Sequence, residues 1–241
     1  MPAALQVGNQ TITQTEIIPL LASYQMLPQL LRESIIDRSI ESIECTPEET
    51  ASACQQFYTQ YQLTSEAARQ AWLERYGISS KRLEVLATRG LRIEKFKQAT
   101  WGRKLESYFL QRKRQLDKVI YSLIRVKDMG VAQELYYRIQ EGEQSFAELA
   151  REYSQGSEAQ TWGLTGPVEL SSPPRPLAQM LSASQPGQLW FPLRLGEWLV
   201  IVRMEQSFPA RLDEPMRQRL LNELFDTWLS KQLNQQGSIF P

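Results

Sequence analysis

The chain has 241 residues, 42% of them apolar and 10% aromatic, enough to fill the core of one large domain or two ordinary ones. Its 27 basic and 27 acidic side chains cancel, which removes net charge as a reason to bind nucleic acid or an anionic membrane. Histidine is absent, and with it every Ser-His or Cys-His nucleophile, imidazole base and imidazole metal ligand.

Cys45 and Cys54, nine residues apart, suit neither a short metal clip nor a disulfide framework, so reduced thiols are expected, with no metal and no cofactor. The opening MPAALQVGNQTIT has neither a basic start nor an apolar run, and no segment approaches the ~20 apolar residues of a membrane span. The expected location is cytoplasmic, without membrane insertion and without a nucleic-acid partner.

Residues 5–12 read as a short extended piece with a Gly8-Asn9 turn, and Thr13 with Glu16 forms a capping box for a first helix. Leu31, Ile35, Ile36, Ile40 and Ile43 mark a second helix, with Pro28 in its first turn and an end near Glu44. Thr46, Pro47 and Glu49 start a third. A fourth runs from Ser65 to Tyr76 and stops at Gly77; a fifth, from about Ser80, has Gly90 as a soft point. A sixth, around residues 103–114, ends a stretch (81–118) that carries 12 basic and 4 acidic side chains. That excess is either a solvated face or a docking surface for an acidic partner.

The period then changes. VIYSLIRV at 119–126 reads as a buried strand, residues 130–141 as a helix, and Ser145 with Glu148 as a capping box opening a short helix from Phe146. Trp162, Leu164 and Val168 lie on a short strand, the proline-rich 171–176 is a rigid loop, and Leu177–Leu181 form one or two helical turns. Gln185-Pro186-Gly187-Gln188 makes a turn before the hairpin of 190–193 and 198–202. The last helix, from Pro215 to about Gln235, has so wide an apolar stripe that it must return to the N-terminal helices to bury it.

The order strand, two helices, strand, short helix, hairpin over 119–204 resembles a parvulin-type peptidyl-prolyl isomerase domain. FAELAREYS at 146–154 is similar to that family's second helix, and QPGQLWFP at 185–192 to its closing turn and strand. VGNQTITQTEI and WLERYGIS resemble the start and a helical signature of SurA-like and PrsA-like foldases. The implied fold class is α+β: a SurA-N-like helical domain (1–117 with 212–241), completed by the C-terminal helix, around an inserted parvulin-like βααβαββ domain (118–211).

The resemblance implies a polar cluster at the floor of a proline pocket: a histidine on the first strand, an acid or cysteine after the second helix and a histidine on the last strand. Aligned here, those positions hold Leu123, Gly156 and Trp198. What survives is an apolar cup with Trp162, Leu164, Leu177, Met180, Trp190 and Trp198 as candidate peptide-binding residues, although a plain core would hold the same residue types. Three functions follow. The chain is a foldase that binds unfolded or proline-containing polypeptides with isomerase activity weak or lost; or it is an active histidine-free isomerase, since rotation about the imide needs no proton transfer; or it is an adaptor docking to a protein complex such as secretion machinery through 81–118.

Overall fold

Capping sets where the helices begin. In the computed structural model, which describes residues 3–7 and 10–235, the side chains of Glu16, Glu49 and Glu148 reach back to the amides of Thr13, Thr46 and Ser145, so each capping box is formed. The Gly8-Asn9 turn lies outside the described residues; the strands beside it, β1 (Ala3–Val7) and β2 (Gln10–Thr13), pair antiparallel.

The chain divides into two compact units, one of residues 1–105 with 214–241 and one of 106–213. The first is helical: α1 (Gln14–Ser23), α2 (Leu27–Ser39), α3 (Pro47–Gln60), α4 (Glu66–Tyr76) and α5 (Ser80–Trp101), with the C-terminal α10 (Glu214–Gln235). Ile35, Ile36 and Ile40 of α2 form one core with Phe225 and Leu229 of α10, against which Ile93, Phe96 and Trp101 pack. The wide stripe of α10 is thus buried among the N-terminal helices. A second cluster, Phe57, Leu63, Leu73 and Leu83, ties α3 and α4 to the start of α5.

One local expectation changes and one holds. Helix α2 stops at Ser39 rather than near Glu44, and α5 supplies the reason: Arg92 donates to the carbonyls of Ile40 and Ile43, and Lys95 to that of Glu44. These cations satisfy acceptors that the end of a helix leaves open. Helix α5 runs through Gly90 without a break, since the tertiary contacts on either side outweigh the ~1 kcal/mol helix penalty of one glycine.

The second unit takes in α6 (Leu105–Leu116) from Glu106 onward and contains a four-stranded antiparallel sheet of order β4-β3-β6-β5. Its strands are β3 (Lys118–Val126), β4 (Leu164–Glu169), β5 (Leu189–Leu195) and β6 (Trp198–Phe208). Between them lie α7 (Met129–Gln140), α8 (Phe146–Tyr153) and α9 (Arg175–Ser182). Strand alternation gives the sheet two apolar faces. Ile124, Val126, Leu199 and Ile201 meet Ala132 and Leu135 of α7 and Phe146, Leu149 and Ala150 of α8. On the other face Val119, Tyr121, Leu123, Val200, Val202 and Met204 meet Leu177 and Leu181 of α9.

Candidate functional site

The α9 face holds most of the candidate residues. Pro174 and Pro176 start α9 rigidly, and the four-residue spacing of Leu177 and Leu181 buries both against the strands. Leu123 is buried beside them, so the floor is closed by the chain's own side chains. Met180, Leu193, Leu195 and Trp198 pack on this core while staying partly exposed. Trp190 pairs with Val202 and therefore shares the face; its indole Nε1 donates to Ser184 Oγ at 2.8 Å.

Register separates the two strand positions that the resemblance associates with histidines. Leu123 stands opposite Val202, whereas Trp198 lies four residues earlier on β6, about 13 Å along the strand. Trp198 instead has Lys127 Nζ 4.8 Å from its ring centroid, and Lys127 also pairs with Glu197 at 3.3 Å.

Two candidates leave this face. Leu164 pairs with Ser122, whose alternation places it with Ile124 on the α7/α8 side, and Leu164 is 50% exposed there. Trp162 precedes β4 in a left-handed conformation, φ 57° and ψ 34°, at the end of the 3₁₀ turn Ser157–Thr161, and Arg151 of α8 lies 4.7 Å from its ring. Gly163, next in the chain, permits a close approach to α8, because a Cβ there would come within 2.8 Å of the Ala150 Cβ. The structure therefore brings Leu177, Met180, Trp190 and Trp198 together with Leu123, and sets Trp162 and Leu164 apart from them.

A polar cluster absent from the sequence reading sits at the C-terminal end of β3 on the α9 face. Arg125, opposite Val200 on β6, donates from Nε (3.0 Å) and Nη2 (2.5 Å) to the two carboxylate oxygens of Glu158, whose side chain is 3% exposed. Ser154 Oγ donates to Glu158 Oε1 at 2.6 Å and accepts from the Arg125 amide at 2.9 Å. Burial acts to raise the Glu158 carboxyl, but hydrogen bonds from Arg125 and Ser154 outweigh it and hold the group below the usual carboxylate range. Burial pushes the phenol of Tyr121 up, so that hydroxyl stays protonated, with the Thr165 side chain as its partner.

Gly156 lies against this cluster: a Cβ there would fall 2.3 Å from Glu158 Oε2. A carboxylate therefore occupies the space that a side chain at position 156 would need, supplied from two residues further on. The signal was an Arg on a buried strand, where a lone cation is rare unless a partner is close by.

Four of the twelve basic side chains of 81–118 are paired within the fold. Arg89 pairs with Glu33 and Asp37, Lys95 with Glu49, Lys97 with Glu94 and Lys113 with Asp117. Both cysteines are free thiols, no cluster of metal-ligating side chains exists among the described residues, and no described helix is long and apolar enough to cross a membrane.

Residues 128–206 match the family model described as Rotamase, PPIC-type PPIASE domain. No curated protein matches the chain. Among solved structures it is similar to the peptidylprolyl isomerase PrsA of Bacillus cereus, at 16% identity over 98% of this chain and 92% of that one, TM-score 0.52. Matches also include a SurA-like chaperone of Campylobacter jejuni (20% identity, 98% and 95% covered, TM-score 0.37) and the parvulin domain of PpiD from E. coli (26% identity, 42% and 97% covered, TM-score 0.36). The four-stranded sheet with its two apolar faces and the match over 128–206 agree on a rotamase-type domain in that segment, and along almost its whole length the chain shares its fold with the Bacillus cereus PrsA structure.

Proposed function

We propose that the protein receives extended polypeptide segments, proline-containing ones among them, on the α9 face of its rotamase-type unit, with cis/trans catalysis weak or lost. The observation that carries this reading is the character of that face. A partly exposed apolar strip of Met180, Trp190, Leu193, Leu195 and Trp198 overlies a closed floor, while the position aligned with the first-strand histidine is the buried Leu123. Apolar contact of this kind takes up a proline ring or a large side chain without needing a titratable group. Arg125 and Glu158 neutralise one another, so neither is poised for proton transfer.

Protease-coupled exchange of a short X-Pro peptide tests the catalytic half, and titration of the same peptide followed by the NMR shifts of the α9 face tests the binding half. The reading expects shifts confined to that face and exchange close to the uncatalysed rate. Rapid exchange that persists in a highly purified preparation and disappears in a Trp190→Ala variant would overturn the catalytic half; shifts mapping elsewhere would overturn the binding half.

A further inference from the structure

We infer that Arg125 is the polar anchor of this binding face, donating a hydrogen bond to a backbone carbonyl of the bound segment, with Glu158 as its positioning residue. The inference rests on the reading of the α9 face given above and adds the group that orients the chain lying on it.

Arg125 emerges from β3 on the same face as Leu123 and stands opposite Val200, so it lies beside the apolar strip rather than behind the sheet. Its guanidinium is planar and forked. The Nε and Nη2 edge is taken by Glu158, and the opposite edge, Nη1, has no hydrogen-bond partner among the described residues. The side chain is 34% exposed, whereas Glu158 is 3% exposed. Solvent and ligands therefore meet the donor and not the acceptor.

The cation is also held still. Its own amide donates to Ser154 Oγ, its carbonyl accepts from the Gln155 amide at 2.9 Å, and Ser154 closes the ring by donating to Glu158. A donor fixed in this way loses little side-chain freedom when a ligand arrives, which lowers the cost of binding. Its remaining N–H groups match a neutral carbonyl oxygen. The adjoining apolar residues exclude water from one side of such a bond and so strengthen it. A free carboxylate is the poorer guest, because the guanidinium charge is already balanced by Glu158.

The test uses the full chain and a capped Ala-Leu-Pro-Phe peptide, together with its analogue in which the carbonyl before proline is a thiocarbonyl, a weaker acceptor. Binding is measured for the wild type, Arg125→Lys, and the double variant Arg125→Met with Glu158→Gln. Lys keeps a charge for Glu158 but has no second edge of donors, and the double variant removes both charges together, so neither leaves Glu158 as a lone buried ion. Both are expected to melt close to the wild type and to bind the peptide about tenfold more weakly or worse. The thiocarbonyl should weaken wild-type binding and leave Arg125→Lys unchanged, a coupling that a purely structural role for Arg125 would not produce. Wild-type affinity in Arg125→Lys, or equal thiocarbonyl effects in both proteins, would overturn the anchor. Trp190→Ala separates the two ideas: if it abolishes binding while Arg125→Lys does not, the face stands and the anchor falls. If the wild type itself binds neither peptide, both fall.

Discussion

The Glu158 carboxylate fills the volume beside Gly156, leaving only 2.3 Å between Oε2 and the place where a Cβ would stand. The backbone at Gly156 is ordinary, φ −104° and ψ 176°, so the glycine is there for space and not for conformation. A methyl group at this position must displace a carboxylate that Arg125 and Ser154 hold in place.

Gly156→Ala is accordingly expected to destabilise the second unit by about 1–3 kcal/mol, as overpacked sites do. In a Glu158→Ala background the penalty should shrink to a few tenths of a kcal/mol. Urea denaturation of the four proteins of this cycle measures the coupling; equal costs in both backgrounds would show that the carboxylate is not what excludes the side chain.

Acid should release the same clamp. The Glu158 pKa is lowered in the folded protein, so its contribution is fully present above the unfolded value near 4.5 and is lost as pH falls through the lower folded value. Melting temperature is expected to be flat with respect to Glu158 at neutral pH and to fall below about pH 4.5. Glu158→Gln should lower the melting temperature at pH 7 and flatten the acid limb. An unchanged acid limb in that variant would remove Glu158 from the account.

In the helical unit the cost of truncation should follow burial. Phe225 is 6% exposed and Leu229 1%, while Trp228 is half-buried against the rings of Phe96 and Trp101. Phe225→Ala is expected to cost about 3–5 kcal/mol, Leu229→Ala about 2–5 kcal/mol, and Trp228→Ala less than Phe225→Ala. Equilibrium unfolding of the three variants checks the order.

The two sides of the sheet give different expectations for binding. Trp190→Ala and Trp198→Ala should weaken an apolar proline peptide and do so equally at low and high salt, because burial is not screened. Trp162→Ala and Leu164→Ala, on the α7/α8 side, should leave affinity unchanged. Loss of binding on Trp162→Ala alone would move the receiving surface to the other side.

What the sequence made legible was local or periodic. Ser145 and Glu148 announce α8 because the cap needs only residues three apart, and the stripe of α10 demands burial whatever its partner is. Register is a long-range property, and there the reading ran out. Aligning Trp198 by its neighbours could not reveal that Val202 is the residue facing Leu123, nor could the alternation in a six-residue strand say which side Leu164 takes until its pairing with Ser122 was known. Glu158 is illegible for a related reason: a carboxylate in a short turn is ordinarily solvated, and only the fold brings Arg125 to it.

The sheet of the second unit is fastened where the chain enters and leaves it. Lys118, the first residue of β3, stands opposite Phe208, the last of β6, and Asp117 Oδ1 accepts the amide of Ala210 at 2.7 Å. Points of entry and departure about 5 Å apart make this segment behave like a closed loop tied with one stitch. Cutting at Asp117 and Ala210 and joining the new ends with a few glycines would give a circle of about the same shape. The same adjacency makes the segment portable, because any surface turn that can spare two neighbouring residues could host it without stretching.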